Sequence, residues 1–585
     1  MQKQEQELTF KNLFLPLTAK KAMIFIVIIG LVVFFNMLFN GFVWDDDLYV
    51  IQGSAEIGSH LLRLFTGFSI FNTTGFYRPV AAIYYYILYN FFGLQPFFYH
   101  FLQITIHIIN SILLFFLFRK LLTKNLSFVL AIIFLVHPMQ VESVSYIASY
   151  GFLSFFFGIS ALILSSVQKL NKNFIPIVIL LLILSILTKE TGIVFLALIP
   201  TLKFLTKRNS VITYSIISSA IFCAYLILRF FIVGLFSNSM ISVPISLLSL
   251  PMRLLNIPAI LFYYLKTFLF PLNLAISQMW TISSINLNNF YLPLFLDLLL
   301  FFIFILLGFI CYKHKKTFPT FLFFGVWFIL GISLYLQVIP LDMTVSEQWF
   351  YLPMAGLLGL IGIAWQVIFS KYIKTNIALA FLIIISILLS FRTMARIPEW
   401  QNPIKLYSHD VNVIDSYNTE SLLGNEYWYQ NKTAEALTHF KKSDELRPGY
   451  DYIASEIATS YERLGDLKNA KDYHLKSMSY KSYRTDVRHT YITYLNASRF
   501  FLYFDDPRIT IKYSSQGVKE YPTEKYLWIL LGLAENKLGN KPAAISALNK
   551  AYKAFPDPNV LYLASQISAG KQIEVPIQAF WPRDN

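Results

Sequence analysis

Long apolar runs separated by short polar segments fill the first 400 residues of the chain. The first run, 22–40, is too long for the apolar core of a signal peptide, and no small-residue cleavage site follows it. Several later runs are shorter than the twenty or so residues that a perpendicular helix needs, which is tolerated where helices line an enclosed cavity. The pattern predicts a polytopic helical membrane domain over 22–400. The further predicted spans lie near 98–118, 126–138, 147–167, 174–187, 190–202, 211–234, 291–312, 319–338, 350–370 and 376–392.

Basic clusters between the runs predict how the chain crosses the membrane, because cytoplasmic loops are enriched in Lys and Arg. All of them lie on one side if 79–93 is a re-entrant or interfacial segment on the outer face. Segment 256–275 is equally ambiguous. We therefore predict eleven crossings, or thirteen if both segments cross, with residues 1–21 cytoplasmic and the C-terminus outside. The clusters are Arg119/Lys120/Lys124, Lys169/Lys172, Lys203/Lys207/Arg208, Lys313/Lys315/Lys316 and Lys371/Lys374.

Composition agrees with a membrane domain followed by a soluble one. Hydrophobic residues make up 56% of the 585 and charged residues only 14%, against about a quarter in soluble domains. Residues 1–400 carry 25 basic and 12 acidic side chains, and residues 401–585 carry 23 and 21. The basic excess therefore reflects topology rather than nucleic-acid binding. Cys223 and Cys311 both lie in apolar runs, and they predict neither a disulfide framework nor a metal site.

The last 185 residues have a repeating helical pattern. In the unit that begins at Leu423-Gly424, small and aromatic residues recur at the spacing of a tetratricopeptide repeat. A later unit around Gly532 and Ala544 keeps the same offsets, and 483–522 is typical of a degenerate copy. We predict a connector at 401–416, an α-solenoid of three to four repeats at 417–570, and a tail at 571–585. Such arrays bind peptides or proteins on a concave face; the alternative is that this one only packs on the membrane domain.

Three adjacent carboxylates, Asp45, Asp46 and Asp47, follow the first span directly. At a membrane face such groups repel each other and need a cation, a positive partner or a function. A carboxylate here could act as general base toward a hydroxyl, or the three could hold a divalent cation against a phosphate. A solvated polar end to the helix is the alternative. No other cofactor is indicated, because the chain has no Walker or Rossmann glycine pattern.

Five short motifs occur in a fixed order along the chain. They are Phe42-Val43-Trp44-Asp45-Asp46, Tyr77-Arg78-Pro79, His137-Pro138-Met139-Gln140-Val141-Glu142-Ser143-Val144, Thr188-Lys189-Glu190-Thr191-Gly192 and Ser346-Glu347-Gln348-Trp349-Phe350-Tyr351-Leu352-Pro353. With these motifs the chain resembles the transmembrane-and-tetratricopeptide-repeat proteins related to protein O-mannosyltransferases, which belong to the GT-C superfamily and use polyprenyl-phosphate sugars. The resemblance covers essentially the whole chain, and it implies a GT-C-like membrane domain with an outer-face catalytic loop at 41–78.

The resemblance also implies roles for individual residues. Asp45 corresponds to the catalytic base, with Asp46 as its acidic neighbour. Arg78 would lie near the donor phosphate, since a guanidinium suits a pair of phosphate oxygens; pairing with the acidic turn is its alternative. His137 has the alternative of a structural helix cap. The residues expected to bind the donor phosphate or substrate are Arg78, Lys189, Glu190, Glu347, His137 and Glu142.

Two cations common in the family are replaced in this chain. Tyr150 and Phe152 stand where relatives carry an Arg and then an acidic residue, and Gln348 stands where they carry an Arg beside the glutamate. These replacements bear on which sugar or acceptor is used more than on whether sugar transfer occurs.

The sequence thus predicts an inverting glycosyltransferase in the membrane. It would move a sugar from a polyprenyl-phosphate donor to an acceptor hydroxyl, for example in protein O-mannosylation, with the repeat tail engaging the acceptor protein, glycan or a partner. The short loops favour a prokaryotic plasma membrane with the repeats on the periplasmic or extracellular side. A transporter and a non-catalytic scaffold are the alternatives from other classes.

Overall fold

The computed structural model describes residues 17–46, 77–166, 174–207, 210–232, 243–369, 375–480, 487–570 and 573. Most of these residues are helical, and among them a single isolated β-bridge joins Gln278 to Val345. The predicted all-α fold class is confirmed. The described residues leave out most of segments 1–21 and 571–585. They also leave out residues 47–76 of the predicted catalytic loop, which include Asp47. The chain divides into two compact units between Ile414 and Asp415.

The first unit contains the predicted membrane domain, and each apolar run of the sequence forms a helix in it. The helices are α1 Ala19–Phe34, α2 Pro79–Phe92, α3 Pro96–Leu121, α4 Lys124–Val136, α5 Gln140–Ser145, α6 Gly151–Ser165, α7 Ile175–Thr188, α8 Ile193–Leu205, α9 Val211–Ile232, α10 Leu250–Leu269, α11 Leu292–Lys313, α12 Phe318–Ser333, α13 Tyr351–Ala364, α14 Thr375–Arg396 and α15 Pro403–Asp410. Several of them begin at a proline, including α2, α3 and α15. Proline suits that position because the first N–H groups of a helix have no partner.

Six described helices are long and apolar enough to cross a membrane. Four shorter apolar helices, α4, α6, α7 and α12, correspond to further predicted spans. A helical membrane domain is therefore confirmed, while the count of eleven or thirteen crossings stays a prediction. The six are Ala19–Phe39, Pro96–Leu121, Val211–Phe231, Leu287–Lys313, Glu347–Ile368 and Ala380–Trp400.

Helix α13 lies at the centre of this unit and fixes the loop that precedes it. A Cβ on Gly356 would lie 2.6 Å from the backbone nitrogen of Phe328, so α12 and α13 are in direct backbone contact. At the start of α13, the Tyr351 hydroxyl bonds to His107 Nδ1 at 2.9 Å and accepts from Asn110 at 3.0 Å. Small residues and buried polar pairs commonly hold helices together in membranes. The α12–α13 contact and the Tyr351 hydrogen bonds fix the start of α13, and with it the Ser346–Glu347–Gln348 motif that directly precedes this helix.

The second unit consists of consecutive helix pairs. Two glycines lie where neighbouring helices are in close contact. A Cβ added to Gly424 would lie 2.7 Å from the Phe440 ring, and a Cβ added to Gly532 would lie 3.0 Å from the Leu548 side chain. Ala436 is fully buried in the same kind of contact. The predicted small positions thus lie where helices touch, and the degenerate unit 483–522 also contains a helix pair. The helices are α16 Tyr417–Tyr429, α17 Thr433–Leu446, α18 Asp451–Arg463, α19 Leu467–Ser479, α20 Val487–Phe504, α21 Pro507–Glu520, α22 Lys525–Lys537, α23 Lys541–Ala554 and α24 Pro558–Ser568.

Candidate functional site

The acidic turn is held against the segment that follows the His137 motif. Asp46 is fully buried, and its carboxylate accepts the backbone N–H of Val43 at 2.9 Å and of Ala148 at 2.7 Å. Trp44, in the left-handed region with φ 58°, stacks on the Tyr146 ring at 4.8 Å. Asp46 therefore fastens the turn in place, and this bonding pattern is that of a structural acceptor.

Asp45 differs from Asp46 in its surroundings. Its side chain is only partly buried, and one carboxylate oxygen accepts a hydrogen bond of 3.3 Å from the Tyr146 hydroxyl. A phenol that donates to a carboxylate orients it, and the partial exposure of Asp45 makes its carboxylate reachable from outside the fold. Of the two described aspartates, Asp45 has the arrangement that suits a base.

Arg78 is the buried member of a partly buried ion network. Its guanidinium lies 2.7 and 2.9 Å from Glu190 Oε2, donates to the Tyr150 hydroxyl, and lies 4.8 Å from the centre of the Tyr150 ring. Arg229 approaches the other oxygen of Glu190 at 3.4 Å. Glu190 is thus an anchor for two arginines. A guanidinium held in this way has a fixed orientation.

Lys189 is buried beside Arg78 without an anionic partner of its own. Its side chain is 92% buried, and Nζ lies 5.7 Å from the centre of the Tyr150 ring. Among the described residues, no acceptor lies within hydrogen-bond distance of Nζ. A buried charge without a partner is costly. The position therefore favours an anion that arrives from outside the protein.

Asp342 adds a second carboxylate, besides Glu190, to the surroundings of Arg78 and Lys189. It lies in the loop before the Glu347 motif, and the buried Gln337 side chain holds that loop by donating to the carbonyls of Met343 and Thr344 at 2.8 and 2.9 Å. Burial raises the pKa of the Asp342 carboxyl, while the positive charges of Arg78 and Lys189 act in the opposite direction. The cations thus face a partly compensating negative charge.

Glu142 and Glu347 bind backbone groups. Glu142 is fully buried and accepts from the Ser346 hydroxyl at 2.5 Å and from the N–H groups of Glu347 and Gln348 at 2.9 and 3.3 Å. Glu347 accepts the N–H of Ala275 at 2.7 Å, and its Oε2 is buried without a partner among the described residues. These two glutamates join the motif loops to each other, and Glu347 keeps one oxygen for a further contact.

Both ring nitrogens of His137 are occupied by backbone groups. Nε2 donates to the Phe268 carbonyl at 2.9 Å, and Nδ1 accepts from the Met139 N–H at 3.3 Å. The ring also stacks on Phe268 with centroids 5.0 Å apart. This bonding requires the neutral imidazole and corresponds to the structural alternative for His137.

The two residues that replace family cations have clear partners. The Tyr150 hydroxyl accepts from Arg78, and its ring lies under both Arg78 and Lys189. Gln348 donates to Glu142 at 3.1 Å and accepts from Ser149 at 3.1 Å. The segment 146–150 therefore contacts the acidic turn, Arg78 and the Glu347 motif. It brings together the predicted residues that lie far apart in the sequence.

The sequence analysis did not single out Tyr146, Arg229 or Asp342. Arg229 had a signal, because it is the one charged residue in α9 and charges inside apolar helices are usually functional. Tyr146 and Asp342 had none beyond their closeness to motifs. A possible cation site at the acidic turn is not supported by the described residues, which gather no group of three His, Cys, Asp or Glu ligands; Asp47 lies outside them.

Over most of its length, the chain is similar to curated proteins that are named protein O-mannosyl-transferases. No protein-family model matches it. It is 24% identical over 452 residues to "Protein O-mannosyl-transferase F38B6.6" of Caenorhabditis elegans, and 23% and 22% identical over 495 and 504 residues to "Protein O-mannosyl-transferase TMTC3" of Mus musculus and Homo sapiens. The predicted resemblance is confirmed. The matches cover 73%, 76% and 77% of this chain, but only 63%, 53% and 54% of those proteins, so the chain spans little more than half of their length.

Proposed function

We propose that the protein is an integral-membrane glycosyltransferase of the GT-C type. It moves a sugar from a polyprenyl-phosphate donor to an acceptor hydroxyl at the outer membrane face, with inversion at the anomeric carbon. The relatives' names favour mannose as the sugar and a protein side-chain hydroxyl as the acceptor.

One observation carries the proposal: a partly exposed carboxylate and two buried cations are held by the same five-residue segment. Asp45 is bonded to Tyr146, and the Tyr150 ring and hydroxyl contact Arg78 and Lys189. Sugar transfer needs a base for the incoming hydroxyl and positive charge for the leaving phosphate. Because residues 146–150 contact both groups, they support a single site for the base and the cations.

The reaction follows from these roles. The acceptor oxygen attacks the anomeric carbon and forms the new glycosidic bond, while the bond from that carbon to the phosphate oxygen breaks. Asp45 takes the acceptor proton, and the polyprenyl phosphate leaves with the electron pair of the broken bond. Arg78 and Lys189 stabilise the negative charge on the phosphate. Since the phosphate is already a competent leaving group, positioning and charge neutralisation supply most of the catalysis.

The remaining residues hold the site in place. Asp46, Glu142 and His137 fix the loops, and Glu190 orients Arg78. Glu347 Oε2 has no described partner and could accept a hydrogen bond from a sugar hydroxyl. The repeat unit, which we assign to the tetratricopeptide type on its spacing, engages the acceptor.

The test is transfer of radiolabelled sugar from a short-chain polyprenyl-phosphate mannose, with polyprenyl-phosphate glucose as a second donor. Asp45→Asn should lower the rate by about 10²–10⁴-fold, the usual contribution of a general base, while the protein inserts and folds normally. Glu435→Gln, at an exposed position in α17, is the matched control. Turnover at the wild-type rate in Asp45→Asn would refute the base assignment, and no turnover of either donor by the wild type would favour the scaffold or transporter alternatives.

A further inference from the structure

An apolar cavity of about 500 Å³ lies between α10, α11 and α12, and its lining shares no residue with the candidate site. Side chains from one face of α11 and one face of α12 form most of its wall. Three of them, Phe301, Ile305 and Ile329, are 58%, 52% and 60% exposed, so the cavity opens on the surface that the apolar helices present to lipid.

The cavity has one polar end and one apolar end. At the apolar end, α11 and α12 close together, since a Cβ on Gly308 would lie 2.8 Å from the Phe321 ring. The two helices run in opposite directions from the short turn that joins them. Asp297 lies eleven residues before Gly308 on α11, and Ser333 lies twelve residues after Phe321 on α12, so both lie at the other end of the cavity. With 1.5 Å per residue, the wall between Gly308 and Asp297 is about 16 Å long. These dimensions and this polarity match one chain of an amphiphile.

Asp297 is the charged group of this cavity, and it has no partner. Both carboxyl oxygens are buried, and no donor in the described part of the chain lies within hydrogen-bond distance of either. A carboxylate in apolar surroundings is stable only when it is paired or protonated. Leu292 begins α11 five residues earlier, a rise of about 8 Å. Asp297 therefore lies within the first two turns of α11, nearer to this end of the span Leu287–Lys313 than to the other, and a lipid head group that enters from this end meets it first.

Gly325 keeps the middle of the cavity open. It belongs to the lining on α12, and a Cβ added there would meet no atom within 4 Å. Gly308, in contrast, is needed for close packing. The same helix pair thus has one glycine at a closed contact and one at an open space, and a side chain can be added at Gly325 without disturbing the helices.

We propose that this cavity is a lipid site that takes one acyl chain of an amine-bearing phospholipid of the phosphatidylethanolamine type, whose ammonium pairs with Asp297. Charge complementarity favours this occupant, because a primary ammonium both neutralises the carboxylate and donates hydrogen bonds to it. An anionic head would place like charges together. This site is separate from the donor site of the proposed function, whose phosphate-binding groups are cations.

The test uses native mass spectrometry of the full-length protein, with dioleoyl phosphatidylethanolamine, phosphatidylcholine and phosphatidylglycerol as probes. We expect phosphatidylethanolamine to be retained preferentially. Asp297→Asn, which is nearly isosteric, should weaken that retention by about tenfold or more, since a charge-assisted bond is lost. Gly325→Leu should reduce binding of all chains at this site. Ile303→Ala, on the exposed face of α11 outside the lining, should change nothing.

Cross-linking provides a measurement that does not depend on variants. A phosphatidylethanolamine with a photoreactive acyl chain should label peptides of α11 and α12 in the wild type, and unlabelled phosphatidylethanolamine should compete for that labelling. Equal retention of the three lipids, unchanged retention in Asp297→Asn, or displacement by polyprenyl phosphate in place of phosphatidylethanolamine would each overturn the proposal. None of these results would bear on sugar transfer, which Asp45→Asn tests separately.

Discussion

Lys189 brings a positive charge to a buried position where no described acceptor meets it. Such a charge lowers stability unless a ligand pairs with it. Arg78, its neighbour, is paired with Glu190 at 2.7 Å. The two cations therefore differ: Glu190 fixes Arg78 by direct contact, whereas Lys189 has only more distant carboxylates, such as Asp342, to offset its charge until a ligand binds.

We predict that Lys189→Met lowers activity without lowering thermal stability. Removal of the charge should lower kcat/KM for the donor by about 10²-fold, the order found when one group that stabilises developing charge is removed. Thermal stability without donor should be unchanged or higher, because an unpaired buried charge is gone. Lys189→Arg keeps the charge and is the control. Parallel loss of stability and activity in Lys189→Met would instead indicate that Lys189 is structural.

Glu142 should have the reverse profile. Its carboxylate accepts the Ser346 hydroxyl and two backbone N–H groups of the Glu347 motif. Glu142→Ala leaves these buried donors without an acceptor, at about 1–3 kcal/mol for each. We expect a clear drop in melting temperature in detergent and a secondary loss of activity. A variant as stable as wild type but unable to bind donor would show direct contact with substrate, as the sequence predicted.

At the scale of helices, α12 and α13 are joined through the Gly356 backbone contact. We predict that Gly356→Val separates these helices and displaces the Glu347 motif, because the added side chain would lie within 3 Å of Phe328 backbone atoms. The expected result is poor folding or a large drop in melting temperature. Gly325→Val on α12, where a side chain meets no atom within 4 Å, is the matched control and should be tolerated. Equal stability of the two variants would contradict this packing.

The sequence predicts the helices of this protein better than it predicts the site. Apolar runs predict helices directly, because a chain in lipid must form the hydrogen bonds of its backbone N–H and C=O groups within itself. The motifs also predict which segments meet. They do not distinguish Asp45 from Asp46, because the difference lies in the backbone N–H of Ala148, about a hundred residues away. Nor do the motifs predict the structural role of His137, because its ring Nε2 donates to the carbonyl of Phe268, which lies far away in the sequence. Residue type alone does not report such long-range bonds.

At the scale of the whole chain, the proposed topology can be tested by cysteine labelling. Asp410 is unsuitable for a label, because it is fully buried and accepts the Ile276 N–H at 2.7 Å. Exposed positions are Glu435 in the second unit and Lys315 between α11 and α12. In a background that lacks Cys223 and Cys311, we predict that a membrane-impermeant maleimide labels Glu435→Cys in intact cells and Lys315→Cys only after lysis. The opposite pattern would place the repeats in the cytoplasm.

The division at Ile414 and Asp415 allows the role of the repeat unit to be measured by deletion. Arg396 bonds to Glu399 at 2.5 Å and lies 3.4 Å from Asp410, so the segment up to α15 belongs to the first unit. Removal of 417–585 therefore leaves these contacts in place. If the repeats engage the acceptor, the truncated protein should bind and slowly hydrolyse the polyprenyl-phosphate sugar like wild type, while transfer to the native acceptor falls sharply. Transfer to a short synthetic acceptor at high concentration is the control and should persist, because all of the proposed catalytic groups lie before residue 417. Native-acceptor transfer at the wild-type rate would show instead that the repeats bind something other than the acceptor.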